Sequence, residues 1–203
     1  PKEKRVPDSL QELAINFASL LRNKAFMGYA LTQGFMMSGI FAYVAGTPFI
    51  YQKIHGVSPQ VFSILFAVNG IALIIGARLV NRLAGKVKEL RLLRIGLIFA
   101  IISSLALLIV ILANGPLYVI VITLFFLLLS LGIINPIAFT LAIETQGHIA
   151  GSASALLGVL PFLLGAASSP LVGIAGEYSA IPFGIIIFTS ILLAAGANFV
   201  LVR

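Results

Sequence analysis

The sequence predicts an all-α membrane protein with six transmembrane helices, and three observations carry that prediction. Of its 203 residues, 60% are hydrophobic and 9% charged, whereas a soluble domain runs at roughly 25% charged. The apolar residues gather into six runs, each close to or above the ~20 residues that cross a bilayer. The basic residues cluster in the short segments between those runs, a pattern that orients a chain in a membrane. The net charge of +7 therefore implies a lipid partner and no nucleic acid. The absence of cysteine excludes a disulfide framework and a thiolate metal site.

The opening, Pro-Lys-Glu-Lys-Arg, has no initiator Met and no cleavable signal, and reads as an excised piece of a longer protein or a processed one. Residues 1–24 are expected to be a cytoplasmic segment. In it Ser9 and Glu12 form a capping box, and Leu10, Leu13, Phe17, Leu20 and Leu21 follow at helical spacing. This is either a surface amphipathic helix or a plain polar lead-in. Residues 25–203 are expected to form the transmembrane bundle.

The first span covers about 25–52, more than a crossing needs, so it is tilted or its far end projects. Tyr29, Gln33, Met36, Ile40, Tyr43 and Thr47 share one helical stripe. A stripe with Gln, Met and two Tyr is read as lining a cavity for amphipathic molecules. The alternative is interhelical bonding by Gln33, with Tyr51 as an interface anchor. Gly46-Thr47-Pro48 should loosen this helix near its outer end. The second span, about 61–80, carries Asn69 in its middle on a stripe with Phe62, Phe66 and Leu73. A mid-membrane amide must be paired or face water, so Asn69 is a helix–helix bond or a cavity residue.

The third span, about 95–113, is almost wholly aliphatic and suits a lipid-facing support helix. Asn114-Gly115-Pro116 is a turn. The fourth, about 117–143, is interrupted by Gly132, Asn135 and Pro136, and Asn135 is a second buried-amide candidate. The fifth, about 151–176, holds fourteen Gly, Ala or Ser in 26 residues. Gly165, Ser169 and Gly173 fall four apart, the spacing of a flat face another backbone can approach. Pro161 and Pro170 should bend it. We expect this helix to press against, and move against, a neighbour outside the six. The sixth span, about 182–202, is again mostly aliphatic.

With the N-terminus inside, the inner segments hold 12 of the 13 basic residues, leaving Lys53 outside. Both termini are therefore expected in the cytoplasm. All six acidic residues lie in loops or at span ends. A proton-coupled carrier needs a carboxylate within the bilayer, and the nearest candidate is Glu144, whose ordinary reading is an exposed loop charge. A membrane serine protease fails for want of a base: His148 lies at the rim and His55 on the opposite side. Two histidines on opposite faces cannot make a metal site either.

Several motifs together resemble the Bcr/CflA drug-resistance branch of the major facilitator superfamily. They are Gln146-Gly147-His148 through Gly151-Ser-Ala-Ser-Ala-Leu-Leu-Gly158, and Ser169-Pro170-Leu-Val-Gly173. Phe41-Ala-Tyr-Val, Thr47-Pro48-Phe49-Ile50, Gly56-Val-Ser-Pro59 and Phe66-Ala-Val-Asn69-Gly70 match as well, all in the family's order. The resemblance is to the carboxy-terminal half, six helices as a 3+3 inverted repeat, and a faint alternation of broken, small-residue and greasy spans agrees. The 81–86 loop is similar to the family's gating loop, but Asn81 stands before Arg82 where an Asp is expected. Gly85 also stands one place late, with Ala84 at the glycine position.

What the resemblance implies is drug:proton antiport by alternating access in a bacterial inner membrane, with no cofactor and no enzymatic step. The partners implied are a missing amino-terminal six-helix half, a small amphipathic drug and a coupling proton. Spans one, two, four and five would line the cavity, which agrees with the choice of Gln33, Met36, Tyr43, Asn69 and Asn135. Asn81, Arg82, Pro161, Gly165, Ser169, Pro170 and Gly173 would serve packing or gating. The competing reading is a self-contained six-span protein with a structural or assembly role, dimerising through Gly165, Ser169 and Gly173.

Overall fold

Each turn of the chain is set by a residue suited to it. In the computed structural model, which describes residues 10–174, 176 and 178–202, Asn23 and Ser58 cap the helices that follow them. Asn23 Oδ1 accepts from the Phe26 N–H at 3.0 Å, and Ser58 Oγ from the Val61 N–H at 3.3 Å. Both satisfy backbone donors that a helix start leaves free. Gly85, at φ +76°, and Asn114, at φ +49°, take the left-handed conformations that turn the chain at opposite ends of the bundle. Gly85 rather than Ala84 makes the bend after the second span, so the glycine stands where this loop requires it.

Seven α-helices result among the described residues: α1 (Leu10–Arg22), α2 (Lys24–Pro48), α3 (Pro59–Leu83), α4 (Glu89–Leu112), α5 (Leu117–Glu144), α6 (Ala150–Ser168) and α7 (Ile181–Leu201). Six helical segments among the described residues, those of α2 to α7, are long and apolar enough to cross a membrane. α1 packs against α2 and α6, with Leu20 fully buried. The capping box proposed at Ser9 and Glu12 lies outside the described residues and side chains.

Helices α2 and α5 are the two hubs. α2 packs on α7, α6 and α5; α5 packs on α3, α4 and α2; α4 also meets α7. Exchanging the triplet α2–α4 with the triplet α5–α7 leaves this pattern unchanged. Each triplet gives its first helix to the second and third helices of the other, as two interlocked three-helix repeats require. Hydroxyls tie the hubs in place. Thr32 Oγ1 donates within α2 to the Gly28 carbonyl at 2.7 Å and lies 3.3 Å from the Ala194 carbonyl of α7. Ser168 Oγ donates to the Ser38 carbonyl at 3.1 Å. Such bonds matter where apolar surface gains nothing by leaving lipid.

Proline acts differently at each site. Pro48 removes a helical hydrogen bond, and the chain passes at once into a π-helical turn, Phe49–Ile54. That loosening falls where Gly46-Thr47-Pro48 predicts it. Pro161 stays inside a continuous α6, whereas Pro170 opens a 3₁₀ turn, Pro170–Gly173, after α6 has ended. Here the structure corrects the sequence reading. Gly165 and Ser169 stay one turn apart, the Ser169 N–H donating to the Gly165 carbonyl at 3.0 Å, but the regular α-helix ends there and the tighter turn that follows takes Gly173 out of the i, i+4 spacing. Gly165 is packed against the Phe41 ring of α2, while Gly151, Gly158 and Gly173 have open space. The Phe41 ring also meets Phe162 edge-on at 5.8 Å.

Glycine brings two backbones into contact elsewhere, between α3 and α5. A Cβ on Gly76 would meet the Leu129 carbonyl oxygen, and one on Gly132 the Leu73 carbonyl oxygen. Backbone therefore touches backbone. Pro136, four residues after Gly132, also deprives the Gly132 carbonyl of its helical donor.

These contacts yield a graded prediction. Gly165→Ala should cost about 1–2 kcal/mol, because the Phe41 ring can swing aside at the expense of its packing. Gly158→Ala should be neutral or slightly stabilising, since it meets nothing and favours helix. Thermal melts of the detergent-solubilised protein would rank the two, and equal melting temperatures would contradict the Phe41 contact.

Candidate substrate-facing site

The residues that sequence reasoning singles out in spans one, two and four come from three helices in mutual contact or joined end to end: α2, α3 and α5. Phe62, Phe66 and Asn69 recur at intervals of four and three along α3, so they rise up one face. On that face Tyr43 of α2 stacks on Phe66 with ring centroids 5.2 Å apart and planes at 18°. Phe66 continues to Phe62 at 5.6 Å, and Phe62 to Tyr51 at 6.0 Å. Asn69 Nδ2 closes the ladder by donating to the Tyr51 hydroxyl at 3.2 Å. Asn69 and Tyr51 are both fully buried.

On α5, Asn135 Nδ2 lies 3.4 Å from Met37 Sδ. This corrects one assignment: Met36 is completely enclosed in the core, and Met37 takes the position facing Asn135. A one-residue step rotates the helix by 100°, enough to carry Met36 off the open face. Gln33, Met37 and Ile40 are part-exposed and Val44 is exposed, so they form the open side of α2. Tyr43 and Thr47 lie on its buried flank, where the Thr47 hydroxyl donates to the Tyr43 carbonyl at 2.9 Å.

The polar bookkeeping marks the same residues. Seven buried side-chain atoms have no hydrogen-bond partner among the described residues. Four of them are Gln33 Oε1, the Tyr43 hydroxyl, Asn69 Oδ1 and Asn135 Oδ1. An unpaired buried polar atom costs about 1–3 kcal/mol, and these four, three amide acceptors and one hydroxyl that can donate or accept, stand on three adjoining helices. Their chemistry fits an amphipathic guest carrying N–H or O–H groups among aromatic rings. It does not fit a metal ion, and among the described residues no group of His, Cys, Asp and Glu could hold one.

The other three unpaired atoms are Arg94 Nε and both amide atoms of Asn198, which is fully buried. Arg94 Nη2 donates to the Val202 carbonyl at 2.8 Å, and its guanidinium lies 5.5 Å from the Phe199 ring centre. Tyr29 is within electrostatic reach of both Arg94 and Glu144. Sequence reading singles out neither Arg94 nor Asn198, although an amide in an aliphatic span was a visible signal. It names Tyr51 only in its alternative reading, as an interface anchor, whereas the π-turn after Pro48 carries that ring inward.

The remaining predicted residues lie apart. Asn81 and Arg82 are exposed at the end of α3, and Ser169 is only part-buried. His148 is exposed on the 3₁₀ turn Gly147–Ile149 and makes no hydrogen bond to Ser152. A cavity of about 220 Å³, lined by His55, Asn114, Tyr178 and Ser179 among others, sits at one end of the bundle, away from the polar ladder.

Comparison with known proteins agrees with this architecture. Residues 1–170 match the family model of the Major Facilitator Superfamily. The chain is 50% identical over 203 residues to the uncharacterized MFS-type transporter YdgK of Bacillus subtilis, covering all of this chain and 50% of that protein. It is 30% identical over 171 residues to a bicyclomycin resistance protein homolog of Haemophilus influenzae, covering 84% of this chain and 43% of that protein. The chain thus spans about half the length of the curated relatives it matches.

Proposed function

Since this chain is a multi-pass membrane protein of the major facilitator superfamily, a family of transporters and not of enzymes, we propose that it forms the carboxy-terminal half of a multidrug efflux carrier of the Bcr/CflA type. The observation that carries this reading is the set of four unpaired polar atoms on α2, α3 and α5. Gln33, Met37 and Asn135 meet the guest first, and Tyr43 and Asn69 stand behind them. The motifs from Phe41 to Asn69 and from Gln146 to Gly173 support the branch, as does the printed name of the Haemophilus relative.

The other six-helix half closes the site. Its contact surface includes the open small-residue side of α6, at Gly151, Ala155 and Gly158. The two halves rock about the central site, with Asn81 and Arg82 in the gating loop and both termini in the cytoplasm. The exchanged ion is a proton. Glu144 is exposed at the end of α5, so the carboxylate that carries the proton through the membrane belongs to the other half.

Cells stripped of their own pumps and expressing the whole carrier should accumulate less of an amphipathic fluorescent dye. Gln33→Ala should slow that efflux about tenfold, the loss of roughly one buried hydrogen bond to the guest. Accumulation equal to that of empty cells across a panel of dyes, with the carrier present in the membrane, would defeat the proposal. A second reading takes the open side of α6 as a contact between two copies. It predicts that a Gly158→Cys variant cross-links to itself, while the two-half reading predicts cross-linking only to the other half.

A further inference from the structure

At the basic end of the bundle a groove of about 290 Å³ is lined by Lys88, Leu90, Arg91, Arg94, Ile95 and Ile98. Three of the six are cations and the other three are aliphatic. Glu89, the acidic residue of this segment, does not line it. Arg94 is fixed between α4 and α7 by its bond to the Val202 carbonyl and its place over Phe199, and its Nε–H is buried without a partner. Lys88 and Arg91 are exposed beside it. The guanidinium is thus held in place, and two exposed cations stand next to it.

Below the cations the same face of α4 is bare hydrocarbon. Ile95, Ile98 and Ile102 are 54%, 51% and 59% exposed, and they follow Arg91 at steps of four, three and four. Arg91 and Ile102 are eleven residues apart, about 16 Å along a helix. That is close to one leaflet of a hydrocarbon core about 30 Å thick. A row of cations at the interface followed by a leaflet-long apolar stripe has the dimensions and charge of one class of molecule.

We propose that this groove is a binding site for an anionic phospholipid of the surrounding bilayer. The phosphate lies among Lys88, Arg91 and Arg94, and an acyl chain runs down Ile95, Ile98 and Ile102. The charge of the headgroup selects the lipid, because a zwitterionic headgroup brings its own cation against three others. The site is separate from the polar ladder of α2, α3 and α5 and does not depend on what the carrier transports.

The test is native mass spectrometry of the whole carrier released from vesicles of equal parts phosphatidylglycerol and phosphatidylcholine. The wild type should retain phosphatidylglycerol in preference. K88Q/R91Q should lower that preference about thirty-fold, from the loss of two interfacial cations. Both side chains are exposed, and unchanged helical circular dichroism would confirm folding. R78Q/K86Q, which removes two charges from the same end but outside the groove, should leave the preference intact, and millimolar inorganic phosphate should not displace the lipid. Equal retention of the two lipids by the wild type would overturn the proposal. So would an equal loss in R78Q/K86Q, which would mean general surface charge. Displacement by phosphate would make the groove a site for a free anion and would also refute it.

Discussion

Gly132→Leu is expected to leave no properly folded protein in the membrane. The first atom added at Gly132 meets the Leu73 carbonyl oxygen, with the Leu73 carbonyl carbon at 3.0 Å and Gly76 Cα at 3.1 Å. All three are backbone atoms, so no side chain can rotate away, and α3 and α5 must separate. Separation removes the close dispersion contact that holds membrane helices together in place of hydrophobic burial. The cost should reach about 3 kcal/mol or more, the upper range of overpacking. Gly76→Leu should behave alike, since its Cβ would meet the Leu129 carbonyl oxygen and Gly132 Cα at 3.0 Å. Gly70, on the same helix with nothing near it, is the control. Size-exclusion profiles and thermal melts after solubilisation would measure the effect. A Gly132→Leu protein that is monodisperse and melts like the Gly70→Ala control would show that the two backbones do not touch.

The second large effect is expected at Asn69. Its amide donates to the Tyr51 hydroxyl at 3.2 Å, while its carbonyl oxygen is buried and unpaired. Asn69→Leu removes an unsatisfied acceptor, which offsets the cost of leaving the buried Tyr51 hydroxyl without its donor, and buries hydrocarbon of similar size. Stability should therefore change by less than about 1 kcal/mol in either direction. Efflux should fall about thirty-fold, because the site loses an acceptor for the guest and the lock on Tyr51. Tyr51→Phe keeps the Asn69 acceptor and should cost only a few-fold. In the double variant the losses should be less than additive, since the two groups are hydrogen-bonded partners. Efflux and melting temperature measured on the same four proteins would decide. Were Asn69→Leu to lower both in proportion, Asn69 would be a helix–helix bond and no part of the substrate site.

Much of the candidate site was legible in the chain because bilayer chemistry penalises polar groups so heavily. Gln33, Tyr43, Asn69 and Asn135 stand out as polar residues within apolar runs, and all four carry an unpaired buried atom. Helical phase was less legible. Met36 and Met37 are chemically identical, and only the packing of α2 between its neighbours decides which one meets Asn135. Tyr51 escaped the main reading for a related reason: its direction depends on a π-turn, which no local preference announces.

Small residues were legible in part: the open run on α6 has no close neighbour among the six helices, as expected, but the backbone contact of α3 and α5 was not foreseen. The richest run, in α6, leaves Gly151 and Gly158 with nothing near them, and only Gly165 meets a neighbouring helix closely. Two solitary glycines, Gly76 and Gly132, bring backbone against backbone. Composition reports where backbones are free to approach, and cannot report which of them do.

By itself the sequence determined the membrane class, the six membrane-length runs and the polar positions within them. Each follows from transfer energy, which is a property of a residue and its near neighbours along the chain. Tertiary structure alone decided the interlocking of α2–α4 with α5–α7, the Gly76–Gly132 contact, the enclosure of Met36 and the fixing of Arg94 against the end of α7. Those depend on close packing between segments distant in sequence. Dispersion forces there fall off within an ångström or so, and one residue's rotation about a helix changes the partner.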